Sequence, residues 1–168
     1  MKKVFSIVAI LLTILMYGCI GKSSAEGFSG GKATGSSTTD ASGLKEVQLD
    51  FNGHSSEGGS IYAYYDKETL KYFEVYLFGE QGKVVYRFDF NAPDEVAVLR
   101  SEYGYDKPIT EGDVKITSQT DSRYAIRKDQ VYSVSNGQES LVQGDLGGQL
   151  VELFNSTMKI IKNGNSGS

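Results

Sequence analysis

LKYFEVYLFGEQGKVVYRFDF, residues 70–90, decides the fold. On both sides of Gly79-Glu80-Gln81-Gly82, apolar and polar side chains alternate every second residue, the period of a strand with one wet face. Two such runs joined by a short glycine-flanked turn make an antiparallel hairpin. If Gly79 opposes Gly82, then Phe73, Val75 and Leu77 lie across from Phe88, Tyr86 and Val84 and build a core layer. The same register sets Glu74 opposite Arg87, a favourable cross-strand pair, and sends Tyr72, Tyr76 and Phe78 to the other face. A three-residue loop ending in Gly82 with a bulge would slip the pairing by one residue and exchange the faces. In either register one side of the hairpin carries more apolar surface than a sheet face in water normally does.

Working outward, the same alternation recurs. Val47, Leu49 and Phe51 interleave with Glu46, Gln48 and Asp50, and residues 60–65 lead into the hairpin through Asp66-Lys67-Glu68-Thr69. Asn91-Ala92-Pro93-Asp94 turns the chain into a strand over 96–101, and weaker strands are expected at 114–117, 124–127 and 131–135. After Asn136-Gly137 the period changes to that of a helix, with Leu146, Leu150, Phe154, Met158 and Ile161 on one stripe widened by Val151 and Leu153. Asp145 caps this helix, Lys159 and Lys162 suit its carboxyl end, and Gly164 is expected to stop it near residue 162. Gly147 and Gly148 weaken its first turn.

The expected fold is therefore α+β, an antiparallel β-meander of about six to eight strands with a C-terminal helix packed on one face. Residues 44–164 form one domain, and 165–168 are expected to be a disordered tail. One helix cannot cover two faces, so Tyr72, Tyr76 and Phe78 should stay partly exposed unless a loop or an N-terminal strand folds over them. Tyr103 and Tyr105, in the run Tyr103-Gly104-Tyr105-Asp106-Lys107-Pro108, fall in a predicted loop. They either pack beneath that loop or present rigid aromatic contacts.

The amino terminus carries a different signal. Lys2 and Lys3 precede an apolar run over 4–16 that is broken only by Ser6 and Thr13, the pattern of a secretory signal. The run falls short of the roughly 20 apolar residues that span a bilayer. At its end, Met16-Tyr17-Gly18-Cys19 resembles the lipobox of bacterial lipoproteins, with Gly18 beside the cysteine and a bulkier Tyr17 before it. The resemblance covers the first 19 residues. It implies cleavage after residue 18, palmitate-type acyl chains on Cys19, and a place in the bacterial cell envelope. Ile20-Gly21, with no aspartate at the second mature position, implies the outer membrane in a two-membrane host. Membrane lipid is then a partner through the Cys19 acyl groups, each buried CH₂ contributing about 0.8 kcal/mol. Cys19 is the only cysteine, so the chain forms no internal disulfide.

Residues 20–43 are half Gly and Ser, which buries too little apolar surface to offset ordering. Together with Cys19 they read as a flexible tether reaching roughly 25–30 Å.

Charge and motifs narrow the function classes. Loss of Lys2 and Lys3 with the signal moves the formal charge from −4 to −6, a poor match for nucleic acid. Gly27-Phe28-Ser29-Gly30-Gly31 spells a nucleophile elbow but lacks the strand and helix that chemistry needs. His54 is the sole histidine, and with Cys19 acylated no set of metal ligands remains, so no metal or cofactor is expected. Glu102, Asp106, Glu111 and Asp113 are the one carboxylate cluster suited to hydrolysis. The leading expectation is a tethered, non-enzymatic binding or adaptor domain that meets another envelope protein or a glycan through Tyr72, Tyr76 and Phe78 or through Tyr103 and Tyr105. An inhibitor of a secreted lysozyme or protease is the alternative, and a small hydrolase using the loop carboxylates comes third.

Overall fold

The computed structural model describes residues 37–40, 42–51 and 55–165. The signal, Cys19, most of the expected tether, His54 and residues 166–168 lie outside the described residues. Nine strands follow one another in chain order in a single antiparallel sheet. They are β1 (Ser37–Thr39), β2 (Lys45–Asp50), β3 (Gly59–Asp66), β4 (Thr69–Gly79), β5 (Gly82–Ala92), β6 (Glu95–Tyr105), β7 (Ile116–Arg127), β8 (Gln130–Ser135) and β9 (Gln138–Leu141). One helix, α1 (Asp145–Asn165), follows. The fold is α+β with a helix after a meander, and its sheet has nine strands rather than six to eight.

The central hairpin has the Gly79-to-Gly82 register, with Phe73 opposite Phe88, Val75 opposite Tyr86, Leu77 opposite Val84 and Glu74 opposite Arg87. Gly82 is required there, because a Cβ would run into the Tyr103 carbonyl on β6. Phe73 and Phe88 stack with centroids 4.7 Å apart, and the Phe154 ring of α1 lies 6.0 Å from Phe73, 5.7 Å from Phe88 and 6.1 Å from Phe90. Phe51, Ile61, Ala63, Val75, Leu150 and Ile161 complete a core that lies between α1 and one sheet face.

Departures from the expected pattern have local causes. The helix continues through Gly164 because that residue sits against Leu49 of β2, where a Cβ would be 3.0 Å from the Leu49 side chain. Its role is close approach, not termination. Asn136 and Gly137 both take positive φ, 51° and 76°, and turn β8 back into β9, a hairpin the helical reading passed over. β1 starts inside the stretch read as tether and pairs with β2 through Thr39 and Lys45. The two weak strands expected at 114–117 and 124–127 are one long strand, β7. Its first six residues are exposed, so their sequence has no apolar alternation to detect. Among the described residues no helix is long and apolar enough to cross a membrane.

Candidate functional site

The alternation that buries Phe73, Val75 and Leu77 under α1 turns Tyr72, Glu74, Tyr76 and Phe78 to the opposite face. Among the described residues no helix or second sheet layers that face. A bulge between Tyr64 and Tyr65 decides who joins them. Tyr65 opposes Leu70 and is buried with the core, while Tyr64 opposes Tyr72 on the uncovered side, with Lys71 as the extra residue. Tyr62 lies beside Glu74 in the same layer.

The rings form a connected stripe. Tyr64 and Tyr72 stack with centroids 4.3 Å apart, and the Arg87 guanidinium lies 3.8 Å from the Tyr72 ring centre on the same face. Asp89 holds Arg87 in a fork, accepting from Nε at 3.0 Å and Nη2 at 2.9 Å, and Glu74 stands 3.9 Å from Nη1. Tyr76 donates its hydroxyl to Glu74 at 3.0 Å and meets Tyr62 edge-on at 5.2 Å. Phe78 follows at 6.3 Å from Tyr76. The Lys83 ammonium lies 5.6 Å from the Tyr76 ring centre and 5.1 Å from that of Tyr103.

Tyr103 and Tyr105 are strand residues of β6, not loop residues as expected. Tyr103 pairs with Lys83 and thereby joins the stripe carrying Tyr72, Tyr76 and Phe78. Tyr105 sits past a bulge whose extra residue is Thr117 of β7, and donates its backbone N–H to the Gln81 carbonyl at the β4–β5 turn, 2.9 Å away. The sequence offered Tyr62 and Tyr64 only as strand residues, since a bulge leaves no mark in an alternating pattern. Lys83 and Arg87 could have been placed on this face from the hairpin register alone.

Burial sets the chemistry of the phenols. Desolvation raises the pKa of Tyr64, reinforced by Glu74 and by a hydrogen bond with Glu46, and raises that of Tyr76 with help from Glu74. Desolvation also raises Tyr72, opposed by Arg87, and Tyr105. These hydroxyls therefore stay protonated at neutral pH and serve as hydrogen-bond donors rather than as nucleophiles or bases. A half-buried layer of mutually stacked and edge-on rings with phenol hydroxyls and pinned cations can offer ring edges and apolar surface to a ligand and hydrogen-bond its rim.

Comparison with known proteins returns no matching family model, curated protein or solved structure.

Of the expected loop carboxylates, Glu102 is a strand residue of β6, and among the described residues Glu102, Asp106 and Glu111 make separate contacts. Glu102 pairs with Arg100 at 2.8 Å, and Arg100 reaches the Tyr86 hydroxyl at 3.4 Å on the face that α1 partly covers. Asp106 accepts the Lys115 backbone N–H at 2.8 Å, closing the loop from β6 to β7. Glu111 ends a single 3₁₀ turn, where its carbonyl accepts from Lys107 at 3.1 Å. Among the described residues no three His, Cys, Asp or Glu side chains gather to hold a metal. A cavity of about 250 Å³ opens beside the first turns of α1, floored by Leu77 and Tyr86 and roofed by Leu146, Leu150 and Leu153.

Proposed function

We propose that this chain is a lipid-anchored binding module of the bacterial cell envelope, tethered through Cys19, that engages another envelope protein or a glycan through its uncovered tyrosine face. One observation carries the reading: α1 covers a single face of the sheet, and the other holds Tyr62, Tyr64, Tyr72, Tyr76, Phe78 and Tyr103 in one layer. Aromatic side chains supply large contact area with few rotatable bonds, so ordering them in a complex costs little entropy. Here they are already ordered by one another and by Arg87 and Lys83. Protonated phenols give the face directionality without reactivity.

The test has two arms. Tyr72→Ser combined with Tyr76→Ser should abolish capture of envelope partners by the full chain while leaving its circular dichroism unchanged. Protease treatment of the extract then separates a protein partner from a glycan. An unaltered capture profile rejects the face as the site. Mass spectrometry of the mature chain should show a thioether-linked diacylglyceryl group at Cys19, and a free thiol there rejects the anchor.

A further inference from the structure

The two ends of the sheet differ in what their turns carry. At one end the turns are Lys67-Glu68, Pro93-Asp94 and Lys128-Asp129, all charged residues but for one proline. At the other end the β4–β5 turn meets the long loop from β6 to β7, which carries Ile109 and Val114 between Tyr105 and Ile116. Backbone bonds hold that loop in place. The Tyr105 N–H donates to the Gln81 carbonyl and the Ile109 N–H to the Glu80 carbonyl, both at 2.9 Å. Asp106 donates its N–H to the Lys115 carbonyl at 2.9 Å and accepts the Lys115 N–H on its carboxylate at 2.8 Å. Ile116, which opposes Tyr105, is the most exposed large apolar side chain among the described residues, at 54 %. An apolar side chain displayed on a pinned loop marks a contact surface.

The anchor in the proposed function says what that surface meets. β1 is antiparallel to β2, with Ser37 opposite Val47 and Thr39 opposite Lys45, so the chain enters β1 from the end of the sheet where Asp50 and Gly59 lie. Gly59 opposes Leu77, two residues before the close of β4, so this is also the end that carries the β6–β7 loop. Residues 20–36 join Cys19 to Ser37, and a flexible segment of that length reaches roughly 20–25 Å. An eleven-residue strand such as β4 is about 36 Å long. A tether shorter than the sheet and entering from that side keeps the apolar end toward the bilayer. It also holds the loop at an effective concentration on the order of mM, so even a weak contact is populated.

From the loop and the entry of the chain we infer that the β6–β7 loop rests on the bilayer that holds Cys19, with Ile116 and Tyr105 at headgroup level. A tyrosine suits that level because its ring is apolar and its hydroxyl wet. Apolar contact rather than charge makes the seat, since Asp106, Glu111 and Asp113 outnumber Lys107 and Lys115 and give anionic lipid no net attraction. The strands then stand on end, and the tyrosine face looks sideways into the envelope. The inference rests on the Cys19 anchor and uses none of Tyr64, Tyr72 and Tyr76, so its failure leaves the proposed binding face standing.

The chain contains no tryptophan, so Ile116→Trp adds a single reporter. The full chain carrying it, reconstituted through Cys19 into phosphatidylcholine vesicles with brominated acyl chains, should show blue-shifted emission that bromine quenches. Quenching should persist in about 1 M salt, where charge interactions are screened within ~3 Å. Glu68→Trp, exposed in the β3–β4 turn at the other end, should emit as a water-exposed indole and lose little intensity. Thr110→Trp, exposed on the same loop, repeats the measurement where Ile116→Trp disturbs the strand end. Flotation reads the anchor separately: chain that does not rise with the vesicles overturns the anchor and this inference together. Floated chain in which Ile116→Trp and Thr110→Trp are quenched no more than Glu68→Trp overturns the inference alone, and so does a second copy covering the loop, since it keeps bromine away. Quenching lost in high salt overturns the apolar seat.

Discussion

Neighbouring residues on opposite faces give the sharpest test of a core built on one side only. Phe73 is 0 % exposed, stacked on Phe88 and close to Phe90 and Phe154, so Phe73→Ala empties a site the surrounding rings cannot refill. That truncation should cost about 3–5 kcal/mol. Tyr72, one residue away, is half-buried and loses only its stack on Tyr64 and its place under Arg87, so Tyr72→Ala should cost about 1 kcal/mol. With a urea m value of roughly 1–3 kcal/mol/M, the first change lowers the midpoint by about 1–5 M and the second by less than about 1 M. The chain has no tryptophan, so far-ultraviolet circular dichroism is the readout. Because whole-domain stability is about 5–15 kcal/mol, Phe73→Ala should still fold, though with a thin margin. Tyr72→Ala should lose partner binding at nearly full stability. Equal costs at the two positions would refute the one-sided core, and with it the claim that the tyrosine face is free for another task.

Other consequences are independent of that pair. Thr157 is 0 % exposed on the inner side of α1, and its hydroxyl has no hydrogen-bond partner among the described residues, so Thr157→Val should stabilise by about 1 kcal/mol and raise Tm by a few degrees in calorimetry. A lowered Tm would show the hydroxyl to be satisfied. Gly82→Ala drives a methyl into the Tyr103 carbonyl and should cost at least about 2 kcal/mol in urea unfolding, whereas Gly148→Ala, which meets open space in the helix, should gain up to about 1 kcal/mol. The phenols of Tyr64 and Tyr76 are held above the ordinary tyrosine value of 10.0. The unfolded chain therefore loses those protons first, and stability present below pH 10 declines as pH climbs past it. Tyr64→Phe and Tyr76→Phe should each flatten that decline in unfolding measured across alkaline pH.

Much of the architecture can be read from the chain, and the exceptions share a cause. Periodicity reports a strand only where one face is wet and the other dry. Residues 70–90 satisfy that condition, and of the two registers they allow, the structure has the one that pairs Glu74 with Arg87 and Gly79 with Gly82. The helix is legible for the same reason, since Leu150, Phe154 and Ile161 face a core while Glu152 and Lys159 face water. Residues 116–121 are exposed on both faces, so nothing in their order marks them as strand, and β9 is likewise exposed at every position. Tyr103 and Tyr105 were hidden by Gly104, which suggests a loop until one sees Ser118 packed over the position its side chain would fill.

By itself, the sequence determined the class of fold, the hairpin, the position of the helix and the placing of Tyr72, Tyr76 and Phe78 on one side together, because each depends on neighbours close in the chain, while the choice between two hairpin registers was left to the structure. Tertiary structure alone decided that Tyr62, Tyr64 and Tyr103 join them, that Gly164 continues the helix instead of ending it, and that β7 outruns β8. Those outcomes turn on a bulge, a close approach to Leu49 and the relative lengths of adjacent strands. All three are set by contacts between distant segments, which no local pattern of apolar and polar residues encodes.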